Sequence, residues 1–134
     1  MSALFLDSSG LVPLLLAEPH SAHALKAWNG SKGCWAWRWA QVETEAALIR
    51  RRAGEAIWRH WREIKMEIGW LDLQEENLEG LCAFNQAIGL RAADAGHLYV
   101  FDRALAAIPT LQLLCFDREV FKAAKTLKLP VWTH

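Results

Sequence analysis

The sequence predicts an α/β fold, a three-layer α/β/α sandwich around a mostly parallel sheet. Two short, continuous apolar runs, ALFL at 3–6 and LQLLCF at 111–116, have the composition of strands buried on both faces. The stretches between them carry helical spacing, and each run gives way to an aspartate and then to helix, at Asp7 and at Asp117. The first strand ends at the Asp-Ser-Ser-Gly turn. From Ser9 the spacing of Leu11, Leu14 and Leu15 is helical, with Pro13 placed in the first turn or so, where proline is tolerated. A second helix runs from near Pro19 to Trp28 and closes at Asn29-Gly30. At 34–39, CWAWRW alternates Trp35, Trp37 and Trp39 as a short strand does, and helix takes over at about Ala40. From Gln41 to Arg52, Val42, Ala46, Ile49 and then Ala53 share one face, which reads as an amphipathic helix. After Gly54 the next helix carries Ile57, Trp58, Trp61, Ile64 and Ile68 until Gly69 stops it. Residues 70–73 form a short strand, and helix returns across 76–88 and again from Arg91. There Leu98, Phe101, Leu105 and Ile108 make a stripe that Pro109 ends. After the second apolar run a helix extends to about Lys128, and PVW at 130–132 is a last short strand. No repeat or linker interrupts the 134 residues, so 1–134 reads as one domain.

Composition narrows the function classes. At 53% apolar the chain has too much hydrophobic content for disorder. Fifteen acids balance fifteen bases, so binding to nucleic acid must be argued from local clustering. The basic concentration is Arg50, Arg51 and Arg52, with Arg59, Arg62 and Lys65 beyond. A solvated helix face is its default reading, and RNA-phosphate contact is the alternative if the helices border a cleft. Cys34, Cys82 and Cys115 are isolated in apolar surroundings and read as reduced core thiols of a cytoplasmic protein. No secretory signal is visible, and no apolar run reaches the roughly 20 residues that span a bilayer. Most of the eight tryptophans belong to a core, while Trp58 and Trp61 are candidates for a partner or dimer surface.

In a parallel sheet the strand-to-helix junctions share one edge, where open α/β folds bind their ligands. Asp7 and Asp117 therefore fall on one rim, and either alone reads as a helix N-cap. Asp94 lies on the helix face of Leu98, Phe101 and Leu105, so its carboxylate points inward, which is costly without a partner. Glu43 stands in a first turn near a buried edge, whereas Glu45 reads as solvated. Four clustered acids repel one another and call for divalent cations, and an oxygen-only donor set selects Mg²⁺ or Mn²⁺. Metal-assisted phosphodiester hydrolysis fits this chemistry. Ser9 reads equally as a helix cap or as a group that bonds a metal-bound water or a phosphate. His97 reads as a packed histidine or one bonded to a backbone carbonyl, and His20, His23, His60 and His134 show no constellation.

Four stretches in order, FLDSSGLVPLL, VETEAAL, LRAADAGHL and CFDREVFKAAKTLKLPV, make the sequence resemble a PIN domain, more closely the VapC-like toxins of type II toxin–antitoxin pairs. The resemblance implies a metal-dependent endoribonuclease with Asp7, Glu43, Asp94 and Asp117 as the acidic quartet. It implies a homodimer neutralised by a small antitoxin. Two departures stand out: Cys115 where the family often has Thr or Ser, and Trp35, Trp37 and Trp39 in place of a Ser/Thr-rich approach to the Glu helix. The rival reading is a degenerate PIN-like domain that binds RNA or a protein without cutting. Receiver-type and haloacid-phosphatase-type phosphotransfer rank lower, because a late-strand Lys and a second Asp at the place of Ser9 are missing.

Overall fold

A computed structural model describes residues 2–133; Met1 and His134 lie outside them. The elements in chain order are β1 (Ala3–Leu6), α1 (Ser8–Leu15), α2 (Ser21–Asn29), β2 (Cys34–Trp37), α3 (Trp39–Arg50), α4 (Glu55–Glu67) and β3 (Ile68–Leu71). A 3-10 turn at Glu75–Asn77 then leads to α5 (Leu78–Ile88), α6 (Ala92–Ala104), β4 (Leu111–Leu114) and α7 (Arg118–Thr126). Among the described residues the strands form one parallel sheet of order β3-β2-β1-β4. The predicted α/β/α sandwich is what forms. Leu4 and Leu6 of β1 face a core built with α1, α2, α3 and α4, and Ala3 and Phe5 face the opposite core built with α6 and α7. All four residues of β1 are buried, which explains its unbroken apolar composition.

Gly10 sets how closely α1 approaches the sheet. A Cβ at this position would lie 2.6 Å from the carbonyl oxygen of Leu114 in β4, so only glycine lets the start of α1 rest against that strand. Pro13 lies in the second turn of α1, two residues before the helix closes.

Several boundaries and faces differ from the sequence expectation. In α3 the buried residues are Ala40, Thr44 and Leu48, while Val42 and Ile49 are 48% and 66% exposed. Of these only Leu48 carries a strong hydrophobic signal, while Ala40 and Thr44 are small and carry little. Strand β3 starts at Ile68, and Gly69 lies inside it rather than ending a helix. Its missing Cβ leaves room for the indole of Trp35, its partner across β2. Helix α6 ends at Ala104, short of Leu105 and Ile108. Strand β4 ends at Leu114, so Cys115 and Phe116 separate it from Asp117. Residues 130–132 contribute a single bridge, Leu113 to Val131, and no strand.

Trp61 is no partner surface: it is 1% exposed, and its indole N–H donates to Glu45 Oε2 at 2.9 Å. Trp58 is half-buried and packs on the same core. Glu45, expected to be solvated, also receives Lys65 Nζ at 3.3 Å. Burial opposes its ionisation, yet the indole N–H and Lys65 outweigh that and hold its pKa below the ordinary value. Cys34 and Cys115 are buried free thiols, but Cys82 is exposed on α5, contrary to the core reading. Among the described residues no helix is long and apolar enough to cross a membrane.

The Gly10 contact gives a direct prediction. Gly10→Ala should destabilise the protein by about 1–3 kcal/mol through overpacking against Leu114. Urea unfolding followed by circular dichroism should show a lower midpoint with an unchanged m-value.

Candidate functional site

The sheet order creates the site. From β1 the chain moves outward to β2 and β3, then returns to place β4 on the other side of β1, so the strand order reverses between β1 and β4. Ligands in open α/β folds bind at the carboxyl end of such a switch point. Asp7 follows β1 directly, and Asp117 follows β4 by three residues. The register Leu6 to Leu114 sets Asp7 across from Cys115.

Both aspartates are helix caps, as the simpler reading held. Asp7 Oδ1 accepts the Gly10 N–H at 3.1 Å, and Asp117 Oδ1 accepts the Val120 N–H at 3.0 Å. Ser9 therefore does not cap α1. Its hydroxyl donates to Asp7 Oδ1 at 2.6 Å and accepts the Phe116 N–H at 2.8 Å, tying the β1–α1 turn to the β4–α7 turn. Cys115 Sγ accepts the Asp117 N–H at 3.3 Å and lies 3.6 Å from Ser9 Oγ.

A cap does not need to be buried this deeply. Asp7 is 3% exposed, and burial pushes its carboxyl above the ordinary range despite the opposing pull of His97, Ser9, Cys115 and the Gly10 N–H. Asp94, with a side chain 22% exposed, is raised by burial and then by Asp117 and Asp7, against the lowering influence of Arg91 and His97. Arg91 is only 3.6 Å from Asp94, but its own side chain is 85% exposed, where screening leaves an ion pair worth little. Asp7 and Asp117, from separate parts of the sequence, thus both reach Asp94 through space. Burial raises the Cys115 thiol first, and the Asp7 carboxylate raises it further.

Glu43 joins this cluster through a residue whose role sequence reasoning missed. His97 is 1% exposed, and its Nε2 lies 2.5 Å from Glu43 Oε1. In the tautomer with the proton on Nε2, the imidazole donates to the Glu43 carboxylate. Among the described residues the buried Nδ1 has no hydrogen-bond partner. His97 therefore bonds a carboxylate on α3, not a backbone carbonyl. The Trp37 ring and the imidazole meet in a T-shaped contact, their centres 5.0 Å apart, which helps set the imidazole plane. The i+3 spacing from Asp94 on a buried helix face was the available signal.

A cavity of about 620 Å³ opens beside Ser8, Ser9 and Glu43. Arg50 and Arg51 line it, and Arg52 does not; Arg51 also lies 3.6 Å from Glu18. His20 lines it too, stacked on Phe116 at 4.5 Å with 7° between the planes. In sequence His20 stood apart from every other candidate, because the contact depends on where α2 starts.

An oxygen-only set of part-buried carboxylates, two of them with raised pKa values, has the chemistry of a hard-cation site. Among the described residues, however, no three Asp, Glu, His or Cys side chains already converge on one ion position. Donor chemistry fits Mg²⁺ or Mn²⁺; the closed chelate is not preformed.

No protein-family model matches the sequence, and no curated protein matches it. The chain resembles solved structures. One is PAE2754 from Pyrobaculum aerophilum, at 22% identity over 94% of this chain and 86% of that one, with a TM-score of 0.64. A second is VapC20 of Mycobacterium tuberculosis, a sarcin-ricin loop cleaving toxin, at 16% identity, 90% and 94% coverage and a TM-score of 0.72. A third is a toxin–antitoxin complex from Klebsiella pneumoniae, at 19% identity, 90% coverage of both chains and a TM-score of 0.64. The fold is PIN-like.

Burial of Asp7 has a measurable cost. Because its folded pKa is raised, its contribution favours the fold below the ordinary carboxylate range and is lost as pH rises through the folded pKa. Asp7→Asn keeps an acceptor for Gly10 and removes the charge. In EDTA at neutral pH this variant should melt at a higher temperature than the wild type, and the gap should close on acidification.

Proposed function

We propose that the chain is a Mg²⁺- or Mn²⁺-dependent endoribonuclease of the VapC-like type, the toxin of a toxin–antitoxin pair. The observation that carries this reading is the meeting of Asp7, Asp94 and Asp117 at the β1/β4 switch point, with Asp7 buried at the expense of its ionisation. The toxin structures that share the fold support it. Asp7, Asp94 and Asp117 would hold the metal, with Glu43 as a further ligand directly or through water. A bound Mg²⁺ or Mn²⁺ would supply Lewis acidity toward the phosphate and lower the pKa of an attacking water.

The chain's own groups prepare that site. Ser9 and the Gly10 N–H aim Asp7, the Val120 N–H aims Asp117, and His97 orients Glu43. Arg50 and Arg51 line the adjoining cavity, where their guanidiniums would bind RNA phosphates. Cys115 supplies no nucleophile, since burial and Asp7 keep its thiol protonated. For the antitoxin and the homodimer contact, the exposed Trp39, Val42 and Ile49 of α3 replace Trp61 as candidates. A cytoplasmic location belongs to the same proposal.

The degenerate reading draws on two observations: no preformed chelate among the described residues, and a thiol at Cys115 in place of a hydroxyl. One assay separates the two. Purified protein should cleave structured RNA with Mn²⁺ and stop with EDTA, and Asp94→Asn should lower cleavage by at least about a hundredfold. Cleavage that persists in both Asp7→Asn and Asp94→Asn contradicts the metal site; none in the wild type favours the binding domain. His97→Leu should cost about 10–100-fold, as loss of a ligand-orienting group does, while His97→Gln, which keeps an N–H for Glu43, should retain more activity.

A further inference from the structure

A second cavity, of about 280 Å³, adjoins the carboxylate rim at Asp117. Three half-buried aromatic side chains, Phe116, Phe121 and Trp132, line it together with the exposed Arg118. Among the described residues Arg118 forms no ion pair. Phe116 also lines the larger cavity that holds Arg50 and Arg51, and Ser9 pins its backbone N–H. Phe116 is therefore a shared wall, with guanidiniums on one side, an aromatic cavity on the other, and Asp117 at its edge.

We propose that the Phe121/Trp132 cavity receives one unstacked nucleobase of the RNA, next to the phosphate held at the carboxylates. This rests on the nuclease reading and adds a base subsite to it. Single-stranded RNA is recognised by splaying its bases onto aromatic faces and Arg planes, and every base offers a π-face. A strand that brings a phosphate to Asp117 has a base within reach of the rings, while Arg118 remains available to a neighbouring phosphate. The arginines of the other cavity then follow the backbone onward. A purely electrostatic groove would need no aromatic chamber at that edge.

The test compares equilibrium binding of two labelled probes in Mg²⁺: a short single-stranded RNA of mixed sequence, and an abasic ribose-phosphate strand of equal length. The Asp94→Asn chain serves throughout, to prevent cleavage. It should bind the RNA about tenfold tighter than the abasic strand. Phe121→Leu and Trp132→Leu should each erase most of that difference while leaving abasic binding unchanged, and Phe121→Tyr should preserve it. Arg50→Gln should weaken both probes alike. If the Phe121 and Trp132 variants weaken both probes equally, or leave both unchanged as expected of a cavity for an apolar protein side chain, the base subsite is wrong. If the wild-type chain neither cleaves RNA nor binds either probe, the nuclease reading fails and the base subsite fails with it.

Discussion

The structure turns on one carboxylate held where a carboxylate is costly. Asp7 closes the central strand and is almost fully buried at the reversal of strand order. A carboxylate in that position needs compensation from hydrogen bonds or from a cation. Hydrogen bonds supply part of it: Ser9 and the Gly10 N–H both reach Oδ1, yet the pKa stays raised. The remaining deficit is what a divalent cation would remove.

The surrounding architecture follows from that placement. Gly10 brings the start of α1 against β4, which lets Ser9 bridge to the Phe116 backbone and fixes the two strand ends relative to each other. Helix α6 brings Asp94 to the same rim and sends His97 under α3 to take Glu43. Burial of the Asp7 carboxylate works against the fold, a cost that functional sites commonly carry. Phe116, tied to Ser9, divides the approach to this rim into a basic side and an aromatic side.

What the sequence shows and what it hides have physical causes. Strands β1 and β4 were legible because burial on both faces demands an unbroken apolar run, and Asp7 and Asp117 because caps follow strand ends closely. Asp94 was legible from helical spacing. The buried face of α3 was not, because two of its three residues, Ala40 and Thr44, carry less hydrophobic signal than the exposed Val42 and Ile49. Gly69 resembles a helix stop until the Trp35 ring is seen to need its missing Cβ. Trp61 could fill a core or a surface equally well, and its hydrogen bond to Glu45 fixes it inside. The contacts of His97 with Glu43 and of His20 with Phe116 join residues distant in sequence, so only the assembled sheet reveals them.

The central claim is that Asp7 is buried as part of a cation site and not as a cap alone. Titration of the metal-free protein with Mn²⁺, with free Mn²⁺ followed by electron paramagnetic resonance, tests it most directly. Saturable Mn²⁺ uptake by the wild type that is lost in a folded Asp7→Asn variant is the predicted result. Equal uptake by both proteins, or none by the wild type, would contradict it.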